Sequence, residues 1–506
     1  MSYELNEWDA AQDQTTMTAH LQVIPDTLPD FTYGVTAWPE ELTSDRQGMS
    51  LKFATLEPSR TRCNGTYKWP SNPAYDYDDE EFLGQWGDAL NTPMQTIVLA
   101  SEADIDGVTV VFDDRGQEWA TQFTLNFYGS NDGLVWSTTI EDNTQPYYTV
   151  FQVVHGVAKI ELVIEEWSVT DATLYKVAEF VPYADFVWSG ADILSYEKTM
   201  EINPFESAKS IPEARLVVAD PSHHFVPLST ESIADSLRQG IPIRCVWQTP
   251  TASKLASEWL LYDWSADSDN DEATFIMRPP LGFGRQMTQI TTTTSDVMTI
   301  AQGLLDRVGM TLWSFEPDMM AYACYTYFGE NLNVETAVQQ LANSVGAIVD
   351  FLDDSSGVAF RYYADAWAEE RFIDGGQLWE DPSIVQEKPY KEIVTIYSAL
   401  QDGSIVEKTH TRTINSKGQG TFTIYAQNAS TASQAASVSL LARAYLAQNI
   451  LITCQLRGDP DMRPWQKVSM AVEGTSIVGT IEKVKTTYNE GILTTECEVR
   501  TDGSGE

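Results

Sequence analysis

Between residues 184 and 248 the chain alternates strands and turns in a way that leaves few folds open. Tyr196, Lys198, Met200 and Ile202 alternate with Glu197, Thr199 and Glu201. A period of two marks a strand with one dry and one wet face. Asn203 and Pro204 then end it in a turn, because proline donates no ladder hydrogen bond. Residues 213–218 (EARLVV) supply a second strand. After the loop 220–225 (DPSHHF), residues 237–247 supply a third, entered through a turn at Gly240.

The rest of the chain reads as mainly β with a few helices, in several domains of β and α+β type. Val108, Val110 and Phe112 alternate, as do residues 123–129; Asn131, Asp132 and Gly133 form a tight-turn signal, and residues 160–164 and 174–180 add strands. Short strands with turn chemistry between them favour an antiparallel β-sandwich over an α/β fold. Residues 258–264 and 272–277 flank an acidic loop as a hairpin, and residues 393–397 resume the β pattern. Helical spacing appears three times. Val297, Ile300, Ala301, Leu304, Leu305 and Val308 precede a stop at Gly309, and Val334, Val338, Leu341, Ala342 and Val345 precede one at Gly346. The third helix, 430–448, is expected to be capped by Ser430, with Ala435, Val438, Leu441, Ala442 and Tyr445 apolar.

Charge narrows the function. Against 31 Lys+Arg stand 73 Asp+Glu, a formal charge of −42. Such a surface repels phosphate, so no specific nucleic-acid binding is expected, although DNA can slide past it. A halophilic surface is the other reading of the same number. With 43% hydrophobic and 11% aromatic residues the chain is globular. Five cysteines, widely spaced and odd in number, favour neither a disulfide framework nor a zinc cluster. The polar, acidic first 17 residues lack the pattern of a signal peptide, and no apolar run is long enough to be a membrane-spanning segment.

Two stretches carry a resemblance. Leu237, Gly240 and Ile243, within an L-x-x-G-x-P-I pattern that closes the third strand, resemble the first hub domain of tail-hub proteins of tailed bacteriophages. These are also called tail-tip, tail-associated or baseplate hub-like proteins. The turn Gly458-Asp459-Pro460 before the strand 465–470 resembles the turn leading into their final barrel-like β domain, without the usual Asp in that strand. Phe53-Ala54-Thr55, Glu57-Pro58, Gly65 and Tyr67 resemble the start of a discoidin-like, carbohydrate-binding-like β-sandwich inserted near the N-terminus of many such hubs. Here the motif's Trp is replaced in the region of Thr61 and Arg62, and its Asp by Asn64, departures that bear on any inherited ligand site.

The resemblance implies five parts: residues 1–49 as the start of hub domain 1, 50–182 as the inserted sandwich, and 183–290 as hub domain 1 continued. Residues 291–390 follow as a helical α+β hub domain, and 391–506 as the second hub β domain with a barrel-like β domain. It also implies a structural, non-enzymatic role in the virion, at the tail tip or baseplate, with assembly in the host bacterial cytoplasm. The partners it implies are two further copies in a homotrimer, a hexameric distal tail protein, a tape-measure protein and host cell-wall glycan. Two other readings stand beside it: a glycan-binding adhesin, and a cell-wall-degrading tail lysin. The lysin is disfavoured because the sequence ends at Glu506, soon after the last β domain.

Candidate side chains are few. Trp69, Tyr75 and Tyr77, expected in a polar, Pro-rich loop at 69–81 (WPSNPAYDYDDEE) rather than on a strand, and Trp86 offer ring faces for stacking on sugars. The competing reading is that aromatics such as Trp119, Trp136 and Trp167 fill the sandwich core. Asp76, Asp78 and Asp79, followed by Glu80 and Glu81, supply oxygen ligands for a Ca2+ ion; a solvated acidic loop is the commoner outcome. No other cofactor is implied. The loop 267–271 begins like an EF-hand but places Glu272 where glycine is needed and Arg278 where the chelating glutamate belongs. No nucleophile elbow, zinc-protease motif or phosphate-binding loop occurs, and His223-His224 reads as a loop pair.

Overall fold

The structure, a computed structural model, describes residues 15–23, 28–33, 69–70, 94–112, 119–168 and most of 176–503. They are mainly β-sheet with a few short helices, as the alternation predicts. The chain divides into two compact units. The larger comprises Met1–His20, Val187–Pro221 and Arg238–Glu506, and the smaller Leu21–Phe186 and Ser222–Leu237.

The smaller unit is built on two long antiparallel strands, Met94–Phe112 and Tyr147–Trp167. Ala120–Tyr128 pairs with the second of these and with Leu134–Ile140, while Lys176–Val181 pairs with the first. Strands this long do not stay straight. Their register slips between Val98 and Ala103, between Ala103 and Ile105, and between Ile105 and Gly107, each slip bending the ladder. Gly107 has a further reason to be glycine: a Cβ there would lie 2.8 Å from the carbonyl oxygen of Val150 on the partner strand. The bent, sandwich-like sheet closes over Phe123, Leu125 and Phe127, which alternate inward as the sequence indicated, together with Phe112 and Trp167. Phe112 meets the rings of Phe123 and Trp167 edge-on at 5.6 Å, the arrangement aromatic quadrupoles favour. Trp167 is therefore core, and Trp119 and Trp136 pack against that core.

In the larger unit one sheet runs through most of the strands. Its order is Ser383–Gln386, Ile450–Arg457, Ile492–Thr501, Thr475–Asn489, Ile193–Glu201, Glu213–Ala219, Glu272–Arg278, Ser253–Asp267 and Pro242–Gln248. Ile193–Glu201 is the alternating strand: Tyr196, Lys198 and Met200 are buried. It pairs with Glu213–Ala219 on one side and with Thr475–Asn489 on the other, from Ser195 opposite Asn489 to Glu201 opposite Lys483. The hairpin between Ser253–Asp267 and Glu272–Arg278 turns at Asp271, with φ 56. There the Asp267 carboxylate accepts from the backbone N–H groups of Asp269 and Asn270, so the acidic loop is a hairpin tip.

The helices follow the expected stripes. Val297–Leu305 is capped by Asp296, whose carboxylate accepts from the Thr299 N–H at 2.8 Å, and a 3-10 turn carries it to Gly309 at φ 74. Val334–Val345 is capped by Asn333 and stops at Gly346, φ 71, a left-handed conformation that glycine adopts without steric cost. The third helix, Ala432–Ala447, corrects the expected cap. Thr431, not Ser430, is the N-cap, because its hydroxyl and the Gln434 side chain form a reciprocal capping box. That helix covers the sheet Ser404–Thr413, Glu392–Gln401, Thr421–Ala426, and buries Ala435, Val438, Ala442 and Tyr445 with Ile393 and Ile424.

Candidate functional site

A lysine on the dry face of a strand demands a partner, since an unpaired buried charge is costly. Lys198 has two. Its Nζ donates to the Ala256 carbonyl oxygen at 2.8 Å and to Asp353 Oδ1 at 3.0 Å. Asp353 lies just beyond the strand Ala347–Phe351, and Arg463 grips its carboxylate with both terminal nitrogens, Nη1 at 3.0 Å. Asp350, on that strand, accepts from Arg361 Nε at 3.1 Å. Three parts of the sequence, near 198, 350 and 463, thus meet in one buried charge cluster of the larger unit.

The electrostatics follow from burial and pairing. Burial pushes the Lys198 ammonium down to about 8, although Asp353 opposes the shift. Burial works to raise Asp353, but Lys198 and Arg463 outweigh it and hold the carboxyl below the usual range. For Asp350 the balance reverses, and burial raises it despite Arg463 and Arg361. A lysine poised near neutral pH is often a catalytic group. Here its side chain is 7% exposed and its carboxylate partner 9%, so the cluster works as a clamp between strands.

A second clamp sits at the end of the same sheet. Arg500 donates from Nε to Glu482 at 2.6 Å and from Nη1 to Glu387 at 2.7 Å and to the Gln448 carbonyl oxygen at 2.9 Å. Its guanidinium lies 4.7 Å from the centre of the Tyr445 ring. The end of the Ala432–Ala447 helix is thereby tied to the last two strands.

The sugar-stacking candidates fall differently. Trp69 is on a short strand, Trp69–Pro70, paired with Val177 and Lys176, and not in the loop that its polar surroundings suggested. Tyr75, Tyr77 and Trp86, and the Ca2+ candidates Asp76, Asp78 and Asp79, lie outside the described residues. Among the described residues no group of three or more His, Cys, Asp or Glu side chains is placed to hold a metal ion. Cys245, Cys324, Cys454 and Cys497 are buried free thiols. His223 turns the chain at φ 56, and the neighbouring His224 ring packs on Phe151 at 4.2 Å. No helix among the described residues is long and apolar enough to cross a membrane.

No protein-family model and no curated protein matches the sequence. Among solved structures the chain is similar to the tail protein from Neisseria meningitidis MC58, with 12% identity and a TM-score of 0.42 over 63% of this chain and 94% of that one. It is similar to prophage tail protein gp18 from Listeria monocytogenes EGD-e, with 13% identity and a TM-score of 0.42 over 63% and 92% of the two chains. A third likeness is to the family 32 carbohydrate-binding module from Streptococcus pneumoniae EndoD, with 10% identity and a TM-score of 0.21 over 30% of this chain and 95% of that one.

Proposed function

We propose that this chain is a structural, non-catalytic hub of a phage tail tip or baseplate, and that the virion is where it resides. The observation that carries this reading is the ladder between Ile193–Glu201 and Thr475–Asn489. It makes one sheet of the two stretches, 183–290 and 391–506, whose motifs resemble the paired hub domains. The motif residues also have physical roles: Leu237 and Ile243 are buried, and Gly240 turns the chain at φ 95 into the Pro242–Gln248 strand. Exposed apolar side chains at a sheet edge support assembly. All four residues of Ser383–Gln386 are exposed, with Ile384 at 46% and Val385 at 55%, whereas monomers cover or charge such edges.

In this reading three copies form a ring that closes the tail tube. Its β domains present pseudo-sixfold symmetry to a hexameric distal tail protein, and its bore passes DNA and a tape-measure protein. The surplus of acidic residues makes that bore negative, so DNA passes without sticking. Residues 50–182 form an accessory lobe that contacts host cell-wall glycan through Trp69, Tyr75, Tyr77 and Trp86, with Asp76, Asp78 and Asp79 as the place for a Ca2+ ion. Light scattering and negative-stain imaging of the purified chain test the central claim. A ring of three copies is expected; a monodisperse monomer at micromolar concentration, unchanged by added tail-tube protein, removes it.

A further inference from the structure

The acidic residues of this chain are unevenly spread. From Lys408 to Gly458 the sequence has no Asp or Glu, while 73 of them crowd the rest. The acid-free stretch takes in the second half of Ser404–Thr413, then Thr421–Ala426, the Ala432–Ala447 helix and Ile450–Arg457. Lys408, His410 and Arg412 share one face of Ser404–Thr413, the edge strand of its sheet. They stand opposite Tyr397, Thr395 and Ile393, and Tyr397 and Ile393 belong to the core under the helix. The three basic side chains therefore lie on the face that the helix covers, at its open margin.

Two contacts fix which side of the helix runs along that margin. Arg412 Nη2 donates to the Ala436 carbonyl oxygen at 3.3 Å, and the hydroxyls of Thr395 and Ser439 meet at 2.7 Å level with His410. Four helical residues rise about 6 Å and two strand residues about 6.6 Å, so Arg443 comes level with Lys408. Leu440 shares the helix stripe of Ala436 and Arg443 and is 54% exposed. Lys408 and Arg443 are exposed, and among the described residues neither has a carboxylate partner. The result is a strip of fixed positive charge around one exposed leucine, at an unpaired sheet edge. In the same unit the hairpin of Ser253–Asp267 and Glu272–Arg278 is its opposite. Asp263, Asp267, Asp269 and Asp271 are exposed there, with no Lys or Arg between Lys254 and Arg278. Those two cations are already engaged, Lys254 with Asp461 and Arg278 with Glu213. Four strands of the sheet stand between this hairpin and Ile450–Arg457, the strand that follows the helix.

We infer that the strip of Lys408, His410, Arg412, Leu440 and Arg443 docks the acidic 263–271 hairpin of a second copy of this chain. An apolar centre with a charged rim is the build of a protein interface, whereas a phosphate backbone is held by cations alone. Opposite charge on the two surfaces steers the copies together and fixes their register. Because the two surfaces differ, the contact runs head to tail, and repeated contacts of that kind close a ring rather than a two-fold pair. The inference rests on the reading of the chain as a ring-forming hub and names the surfaces that join its copies.

The test measures self-association of the full-length chain by light scattering at low salt, where surface charge is least screened. Lys408→Glu/Arg443→Glu is expected to weaken association by about tenfold or more, and Asp263→Lys/Asp269→Lys by a similar factor. The variant combining all of these substitutions restores association, because opposite charges again face each other. The chosen side chains are exposed, and they spare both Arg412, which bonds the helix, and Asp267, which caps the hairpin tip, so the fold is retained. A wild-type ring that Lys408→Glu/Arg443→Glu leaves unchanged overturns the inference while the hub reading stands. So does a loss that the combined variant fails to reverse. Duplex DNA is the control polyanion: binding to it that vanishes with Lys408→Glu/Arg443→Glu assigns the strip to phosphate and overturns the inference as well. A wild-type chain that stays monomeric at micromolar concentration removes the hub reading and this inference together.

Discussion

The two units solve the same problem, a sheet with a closed core, by different physics. In the smaller unit the inward face is apolar, with Phe112, Phe123, Leu125, Phe127 and Trp167 packed together. Its polar groups are ranged outside, as in the Gln122, Thr124, Glu165 and Thr139 contacts across neighbouring strands. In the larger unit the sheet carries charge on its buried side: Lys198, Asp353, Asp350 and Arg463 around one centre, Arg500 and Glu482 around another. An apolar face accepts many partners of similar volume. A buried lysine accepts only the arrangement that brings its carboxylate. The larger unit thus gains specificity in how distant segments join, at a desolvation cost the smaller unit avoids.

The largest test of that contrast is Asp353→Asn. It removes the carboxylate that Lys198 and Arg463 share, and breaking such a buried pair typically costs about 3–5 kcal/mol. Hydrogen exchange should accelerate in Ile193–Glu201 and Ala347–Phe351 and remain slow in Ala120–Tyr128. Equal protection loss in both units would break the comparison. A smaller effect is expected in the lobe from Gly107→Ala. Its new methyl must displace the Val150 carbonyl, an overpacking cost of about 1–3 kcal/mol, seen as a lowered unfolding midpoint with Ile193–Glu201 unaffected.

The smallest effect near neutral pH, and the sharpest in sign, is titration of the clamp. Asp353 is held below its ordinary value of 3.8 by Lys198 and Arg463. The unfolded chain therefore takes up that proton first as pH falls. The stabilisation is complete above the ordinary value and drains away as pH drops through the lower, folded one. The stability gap between wild type and Asp353→Asn should stay flat from pH 7 to about 5 and narrow only in stronger acid. A gap that narrows already between pH 7 and 5 assigns the stabilisation to some other group.

Much of this was legible without coordinates. Local rules marked the alternating strand through Tyr196 and Met200, the hairpin loop at 267–271, and the helix stops at Gly309 and Gly346. Each depends on neighbours a few residues away. The cap of the third helix was missed by one residue, since Ser430 and Thr431 both qualify and only the reach of Gln434 chooses between them. Trp69 looked like a loop residue because its surroundings are polar, and its pairing with Val177 is more than a hundred positions distant.

The clamp shows where the limit falls. Alternation alone placed Lys198 in register with Tyr196 and Met200, on the face that became buried. That residue announced that a carboxylate was needed, but 73 acidic residues offered themselves. Choosing Asp353 took the strand Ala347–Phe351 and the 463 turn arriving together, which no short-range pattern encodes. The cross-strand threonine pairs Thr109–Thr149 and Thr124–Thr139 are similar: the sequence supplied hydroxyls, and only the pairing, with the Tyr183 carbonyl and the Glu165 carboxylate beside it, decided which way the protons of Thr109 and Thr124 point. Periodicity and turn chemistry act over a few residues and are written in the chain. Charge partners and proton directions depend on atoms brought together from far apart, and folding alone supplies them.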